Sequence, residues 1–353
     1  MTTFTTKPTF FTGVWSPWWL LLLFFSACRE ELPFVNNPPS EQAWVAPAHF
    51  PAAVYDFEQN PLSEAGIELG RALFYDPILS RDSSVSCASC HHPQAAFTDP
   101  GKAISSGIDG RLGVRNSPAL FNLAWQREFM WDGGVNHLDV FPLAPITEPA
   151  EMDENMLHVL QKLRRHPRYS RLFYQAFGPG TIDDRRFFHA LSQFQVQLVS
   201  ANSRYDQWVM GKSQLTTEEL LGYQLVQEHC SDCHSGVLFS DFSYRNNGLD
   251  HVFTDAGRGR ITLLASDTGR FKVPSLRNVA LTAPYMHDGR FATLREVLEH
   301  YRHGIQPSAT LDPLLTNKIP LSQAETAAIE AFLHSLTDTS FTQNAKLANP
   351  FTP

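Results

Sequence analysis

Apolar residues recur at helical spacing in several segments of the chain, and polar capping residues or prolines bound most of these segments. The stripe Ile67, Gly70, Leu73 and Phe74 predicts a helix that begins at Ser63 and ends before Pro77. Five further helices are predicted on the same grounds. Their apolar stripes are Met152, Met156, Leu160 and Leu163; Phe187, Leu191, Phe194 and Leu198 (about 184–199); Leu220, Leu221 and Val226; Leu294, Val297, Leu298 and Tyr301; and Ala328, Ile329, Phe332 and Leu336.

Two of these helices begin at capping boxes, Thr293 with Glu296 and Ser322 with Glu325. At about 100° per residue, Tyr301 falls on the apolar stripe and His303 on the opposite face of its helix. The pattern therefore predicts a mainly α fold, in which Tyr301 points inward.

Two stretches lack this periodicity. Residues 29–60 are rich in proline and are predicted to be a tether followed by an extended arm. Residues 93–117 form a long polar loop, and loops of this length inside a compact domain are usually functional. Glu151 is predicted to lie in the first turn of a helix, where a carboxylate commonly stabilises the helix dipole at the surface.

The first 28 residues read as an export signal. An apolar run from Trp18 to Phe25 is too short for the roughly 20 residues that span a bilayer, and it resembles a signal-peptide core. The run ends in Phe25-Ser26-Ala27-Cys28, which resembles a bacterial lipoprotein cleavage box. We expect an exported, periplasmic chain that is lipid-anchored to a bacterial membrane at Cys28. A plain cleaved signal or an uncleaved anchor is the alternative.

Composition narrows the function classes. The chain has 353 residues, 43% of them hydrophobic, which is enough for packed cores around large cofactors. Its formal net charge is −8 and it contains no basic runs. This balance argues against a nucleic-acid partner and is compatible with docking of a basic redox protein.

Four of the five cysteines lie in two copies of one pentapeptide, Cys87-Ala88-Ser89-Cys90-His91 and Cys230-Ser231-Asp232-Cys233-His234. A C-x-x-C-H sequence supplies two thiols for covalent attachment to the vinyl groups of haem and an adjacent imidazole as iron ligand. A thiol redox pair or half of a zinc site would explain the cysteines but not the histidine after each pair. Two covalently attached haem c groups are therefore predicted.

These motifs resemble the bacterial dihaem cytochrome c peroxidase family, which includes the dihaem enzyme that matures methylamine dehydrogenase. The resemblance covers residues 61–338, and its markers occur in the order found in the family. The markers are Leu73-Phe74-Tyr75-Asp76, Ser86 to His91, Arg115-Asn116-Ser117-Pro118, Trp131-Asp132-Gly133, Glu151-Met152, Cys230 to His234 and Val273 to Gly289.

The resemblance implies two cytochrome c-like haem domains with long loops and insertions. Residues 61–205 would form the N-terminal peroxidatic haem domain and 206–340 the C-terminal electron-transfer haem domain, with 341–353 as a tail. His91 and His234 would be the proximal iron ligands, and Trp131 would lie on the electron path between the haems. Glu151 would be the distal acid and base that acts on peroxide. A calcium ion would be bound by the Asn116 side chain and the backbone carbonyls of Thr282 and Pro284.

The sequence departs from the family pattern at two places. The family's distal glutamine falls on Phe141. The loop residues 94–116 contain no histidine to block the first iron, and the family's blocking histidine aligns near Gly107. The sixth ligand of the second haem is predicted to be Tyr301, which aligns with the family's methionine ligand, with Met286 as the alternative.

We therefore expect an enzyme that reduces hydrogen peroxide with electrons from a small cytochrome c or cupredoxin. One alternative is a dihaem high-valent oxidase that modifies a partner protein, as in methylamine dehydrogenase maturation. Another is a non-enzymatic dihaem electron carrier, in which Glu151 would have no task. A homodimer is compatible with the sequence.

Overall fold

The computed structural model describes residues 1–10 and 43–352. The apolar leader core and Cys28 lie outside these residues, so the lipoprotein signal stays a prediction. No helix in the described part of the chain is long and apolar enough to cross a membrane.

The described chain is mainly helical, with one two-stranded antiparallel sheet. Strand β1 is Tyr244–Arg245 and β2 is Phe271–Lys272. The α-helices among the described residues are α1 Glu64–Tyr75, α2 Leu143–Thr147, α3 Met156–Arg165, α4 Pro167–Phe177, α5 Asp184–Gln195, α6 Arg204–Val209, α7 Thr217–His229, α8 Gly259–Thr262, α9 Leu294–Glu299, α10 Gln323–Ser335 and α11 Thr339–Thr342.

Local capping explains where the main helices begin. Ser63 accepts a hydrogen bond from the Gly66 amide at the start of α1. The capping boxes predicted at Thr293 and Ser322 are present at α9 and α10, and Thr216 forms a third with Glu219 at α7. Each box satisfies backbone donors that the first helical turn leaves without partners.

Two helix crossings organise the chain, and each has a glycine at the point of contact. Helix α1 packs against α5, and α7 packs against α10. A Cβ at Gly70 would lie 1.9 Å from the Ala190 backbone oxygen, and one at Gly222 would lie 1.9 Å from that of Ala328. Any side chain would therefore push either helix pair apart. Each glycine lies in a Leu-Gly-x-x-Leu pattern, at 69–73 and 221–225, which is too short to indicate a repeat by itself; the fold makes this internal similarity evident.

The buried apolar side chains form two clusters. The first cluster contains α1, α3, α4 and α5, and the second contains α7, α9 and α10. The segment predicted to be a tail, 341–353, contacts the first half in its described part, because Phe341 and Leu347 are buried in that cluster. The Tyr75 hydroxyl also donates to the Leu347 carbonyl at 2.6 Å. The domain boundaries themselves stay predictions.

A buried ion pair in the second half holds the arm. Both nitrogens of the Arg277 fork donate to Asp206, at 2.7 and 2.8 Å, and neither side chain is exposed to solvent. From the arm, His49 hydrogen bonds to Asp206, and Phe50 lies under the Arg277 guanidinium. The described part of this segment, residues 43–60, therefore packs onto the rest of the chain rather than extending away from it.

Two helix predictions need correction. Glu151 is not in the first turn of a helix, because α3 begins only at Met156, after Asn155 caps it. Glu151 lies instead in a turn between α2 and α3, where its amide donates to the Glu148 carbonyl. Helix α5 ends at Gln195, before the predicted end at Val199.

Candidate active site

The two C-x-x-C-H pentapeptides fold into the same turn. The amides of Cys90 and His91 both donate to the Cys87 carbonyl, at 3.2 and 3.0 Å. In the second copy, the amides of Cys233 and His234 donate to the Cys230 carbonyl, at 3.2 and 2.8 Å. This turn holds the two thiols and the imidazole of each motif close together, as attachment to one haem edge requires.

Both motif histidines are oriented by a backbone carbonyl. His91 Nδ1 lies 2.7 Å from the Phe97 oxygen, and His234 Nδ1 lies 3.2 Å from the Phe239 oxygen. Since a carbonyl only accepts, Nδ1 carries the proton and Nε2 is left for a metal. Burial lowers the pKa of His91 to about 4 and also lowers that of His234, so both rings are neutral at pH 7.

The four motif cysteines are free thiols. Burial raises the pKa of Cys87 and Cys230 to about 12, and that of Cys90 and Cys233 to about 11. Thiols with such pKa values are poor nucleophiles and poor redox reagents, which argues against a thiol redox pair. A cavity of about 540 Å³ lies against Cys230, Cys233 and His234, and its apolar lining fits a haem.

Two carboxylates lie near the first motif, Glu151 and the buried Asp99. After burial, the charge of Glu151 contributes to the raised thiol pKa of Cys87, and the charges of both carboxylates contribute to the raised thiol pKa of Cys90. Burial, and secondarily the charge of Glu148, raises the pKa of Glu151 to about 7. A carboxyl group with this pKa can both accept and donate a proton near neutral pH.

The loop after the first motif packs directly on the Glu151 turn. The Ile108 amide donates to the Glu151 carbonyl at 2.8 Å. A Cβ at Gly107 would lie 2.3 Å from the Glu151 oxygen and 2.5 Å from its Cα. The position where the family's blocking histidine aligns therefore has no room for a side chain. Phe141 is buried and stacks on Phe129, with ring centroids 5.1 Å apart.

Trp131 lies in the wall of the cavity that also contains the second motif. Its indole Nε1 donates to the Asn116 carbonyl at 2.8 Å. The next residue, Ser117, donates to the Cys90 carbonyl and lies 3.5 Å from His91 Nδ1. A short chain of contacts thus connects Trp131 to the first motif, while the cavity connects it to the second.

Tyr301 and Met286 both line the cavity beside His234. Tyr301 lies in a π-helical turn, His300–Gly304, that continues α9, so its α-helical spacing breaks although it still faces inward. Asn247 lies between the two candidates: its Nδ2 donates to Met286 Sδ at 3.4 Å, and it hydrogen bonds to the Tyr301 side chain. The choice of sixth ligand stays a prediction.

The predicted calcium ligands Asn116, Thr282 and Pro284 also lie along this cavity. The side-chain nitrogen of Asn116, Nδ2, donates to the carbonyls of Lys102 and Ala103. The side-chain oxygen Oδ1 is therefore left to bind a cation. The described residues contain no group of three or more histidine, cysteine or acidic side chains that could hold a metal. The calcium site therefore stays a prediction.

Lys272 was missed by sequence reasoning. Its Nζ donates to Gln126 Oε1 and to the Glu128 carbonyl, both at 2.9 Å, and its backbone amide donates to the Trp131 carbonyl. Burial lowers the pKa of Lys272 to about 8. A cation in the wall of this cavity could hold a carboxylate of the cofactor. The only signal was a single lysine in the otherwise apolar stretch from Phe271 to Val273.

Comparisons with known proteins now bear on these features. The family model described as di-haem cytochrome c peroxidase matches residues 64–214. The methylamine utilization protein MauG of Methylorubrum extorquens is 37% identical, over 81% of this chain and 82% of that protein. The chain belongs to the di-haem cytochrome c peroxidase family.

Two further similar proteins support this family membership. The cytochrome c peroxidase Ccp of Escherichia coli is 33% identical, over 82% of this chain and 62% of that protein. A solved structure of a MauG-like protein associated with microbial copper homeostasis gives a TM-score of 0.82 at 33% identity, and covers 88% of this chain and 100% of that one. This family member is therefore an oxidoreductase, and membership supports haem c as its cofactor.

Proposed function

We propose that this protein is a dihaem c-type peroxidase that reduces hydrogen peroxide to water with electrons from a small cytochrome c or cupredoxin. The observation that carries the proposal is Glu151, a partly buried carboxyl group near the first motif with a pKa raised to about 7. Haem bound through His91 would supply the redox-active iron at which peroxide is reduced.

Glu151 would handle the protons of the reaction. As a carboxylate it would take a proton from one peroxide oxygen, and as the acid it would return that proton to the other oxygen. The O–O bond then breaks, and two electrons and two protons complete the conversion to two waters. The Ile108 amide donates to the Glu151 carbonyl and so fixes the backbone from which the carboxyl group projects.

Trp131 would carry electrons between the two cofactor sites. Its indole is fixed by the Asn116 carbonyl, so the ring does not need to reorient during transfer. The donor would be a basic protein, since the chain carries a formal charge of −8. The proposal also includes export, lipid anchoring at Cys28, calcium at Asn116 and a homodimer.

A second candidate is oxidation of a partner protein. It is favoured by Tyr301, which lines the cavity with His234, because a phenolate ligand would lower the potential of the second haem. Relatives named methylamine utilization protein MauG point the same way. Steady-state peroxide turnover with a reduced small cytochrome c distinguishes the two, because the protein-oxidising enzyme would turn over poorly with that donor.

The decisive test is Glu151→Gln in the holoenzyme, with Glu58→Gln as the matched control. Glutamine keeps the shape but not the proton chemistry, so we expect peroxide turnover to fall by about 10² to 10⁴ with both haem spectra intact. Glu58 is an exposed glutamate of the arm, and its variant should keep near wild-type turnover. Full turnover in Glu151→Gln would remove Glu151 from the mechanism.

A further inference from the structure

Four charged side chains join the Glu151 turn to the loop after the first motif. Arg111 Nη1 donates to the Pro149 carbonyl at 2.7 Å and to Asp153 at 3.1 Å. Its Nη2 donates to Asp109 at 2.8 Å. Arg81 donates to the same two carboxylates, to Asp109 at 2.7 Å and also to Asp153. Each aspartate therefore accepts from both arginines.

Backbone contacts run in parallel with these ion pairs. The Ile108 amide donates to the Glu151 carbonyl, and the Arg81 amide donates to the Met152 carbonyl at 3.0 Å. Gly107 lies against the Glu151 backbone without space for a Cβ. The carbonyls of three turn residues, 149, 151 and 152, are thus held from outside the turn.

Both aspartates have left-handed backbone conformations, with φ of 56° at Asp109 and 48° at Asp153. Such conformations are uncommon for residues other than glycine and persist where the surroundings hold them. The hydrogen bonds from Arg81 and Arg111 lower the pKa of Asp109, so this carboxylate stays charged across the neutral range. The two arginines therefore stabilise the charged form of Asp109 and hold the side chains of both aspartates, whose backbones are left-handed.

We propose that Arg81, Asp109, Arg111 and Asp153 form an ion-pair clamp that fixes the Glu151 backbone, with Arg81 and Arg111 as positioning residues for the peroxide reaction. The inference rests on the proposed role of Glu151. An isolated surface ion pair contributes little, but here two carboxylates are shared by two arginines and one arginine also binds the turn backbone. The result is a network rather than separate pairs.

The first experiment is Arg111→Ala in the holoenzyme, with Arg295→Ala as the matched control. Arg295 is a similarly exposed arginine, paired with Glu330 on α10 and far along the chain from the Glu151 turn. Arg111→Ala should lower kcat with peroxide by about tenfold or more, since small misplacements of a catalytic group are costly. Arg295→Ala should leave kcat unchanged.

A second readout does not depend on turnover. Hydrogen exchange of the peptide covering residues 105–113, followed by mass spectrometry, should become faster in Arg111→Ala because the Ile108 amide loses its fixed partner. High salt should accelerate this exchange in the wild type and have little further effect in the variant. Arg111→Lys, which keeps the charge but not the planar fork, should fall between the two.

Gly107→Ala tests the same turn from the other side, because the added methyl group pushes on the Glu151 backbone. It should also speed exchange and lower kcat. Unchanged exchange in both Arg111→Ala and Gly107→Ala would overturn the clamp, and faster exchange with full turnover would overturn the positioning role. If Glu151→Gln keeps full activity, the proposed function fails, while the exchange measurements still decide whether the clamp exists.

Discussion

The two halves of this protein share a scaffold but differ in what they bring to it. In each half a helix crosses a later helix at a glycine, Gly70 or Gly222, and a C-x-x-C-H turn follows the first helix of the pair. In each half the histidine Nδ1 is held by a backbone carbonyl. Beside the first motif lies the carboxyl group of Glu151, whereas Tyr301 and Met286 lie beside the second.

In the proposed enzyme, the shared part would serve haem attachment and the different part would serve chemistry. A proton-handling carboxyl group and a loop without histidine suit a site that reacts with a small molecule. Two potential iron ligands next to His234 suit a site whose iron stays fully coordinated and passes electrons. The same helix pair and C-x-x-C-H turn would thus support two different functions, and the loops around them would make the difference. Loops commonly carry functional side chains.

Removing one haem attachment site at a time tests the difference between the two halves most directly. Cys87→Ala with Cys90→Ala, and Cys230→Ala with Cys233→Ala, should each lose one of two haem additions. The first pair should abolish reaction with peroxide, and the second should abolish electron entry but leave the peroxide site assembled. Denaturing mass spectrometry and peroxide mixing report these outcomes. Recovery of only the apo mass from the wild-type protein would contradict the cofactor assignment for both halves.

A smaller effect is expected when one ligand is changed and the haem stays attached. Tyr301→Phe removes only a hydroxyl group, and we expect it to abolish the low-spin signal of the second haem in the oxidised protein. Met286→Ala, on the other side of Asn247, should leave that signal in place. Paramagnetic resonance and absorption spectra of both variants provide the measurement. The opposite pattern would assign the ligand to Met286.

The smallest expected effect is a pH dependence confined to the first half. Burial raises the pKa of Glu151 to about 7, so its base form is present above this pH and is lost as the pH falls below it. The value of kcat/KM for peroxide should therefore drop about tenfold between pH 8 and pH 6. Glu151→Gln should show a low rate without this limb. A limb that persists in Glu151→Gln would belong to another group.

Much of the fold could be predicted from the sequence because its signals are local. Capping boxes at Thr293 and Ser322 need only four neighbouring residues, and they mark α9 and α10 correctly. The predicted start of α3 was wrong because the sequence allows a helix to begin near either Glu151 or Asn155. The Asn155 side chain accepts from the His158 amide and therefore sets the helix start.

The candidate site likewise contains local features, which the sequence reveals, and contacts between distant residues, which it does not. The two haem motifs are contiguous, so they could be recognised directly. The clamp could not, because Arg81 and Asp153 are 72 positions apart and neither belongs to a motif. The closeness of Gly107 to Glu151 likewise depends on how two loops pack, and a glycine in a polar loop does not predict it.

The burial of Phe341 and Leu347 in the first cluster has a consequence for the order of synthesis. Asp338 adds to this connection, since it accepts hydrogen bonds from the amides of Ala201 and Asn202. The first half is translated first, yet its core lacks these side chains until residues beyond position 336 have emerged. The core of the first half is therefore completed last, when the end of the chain docks on it.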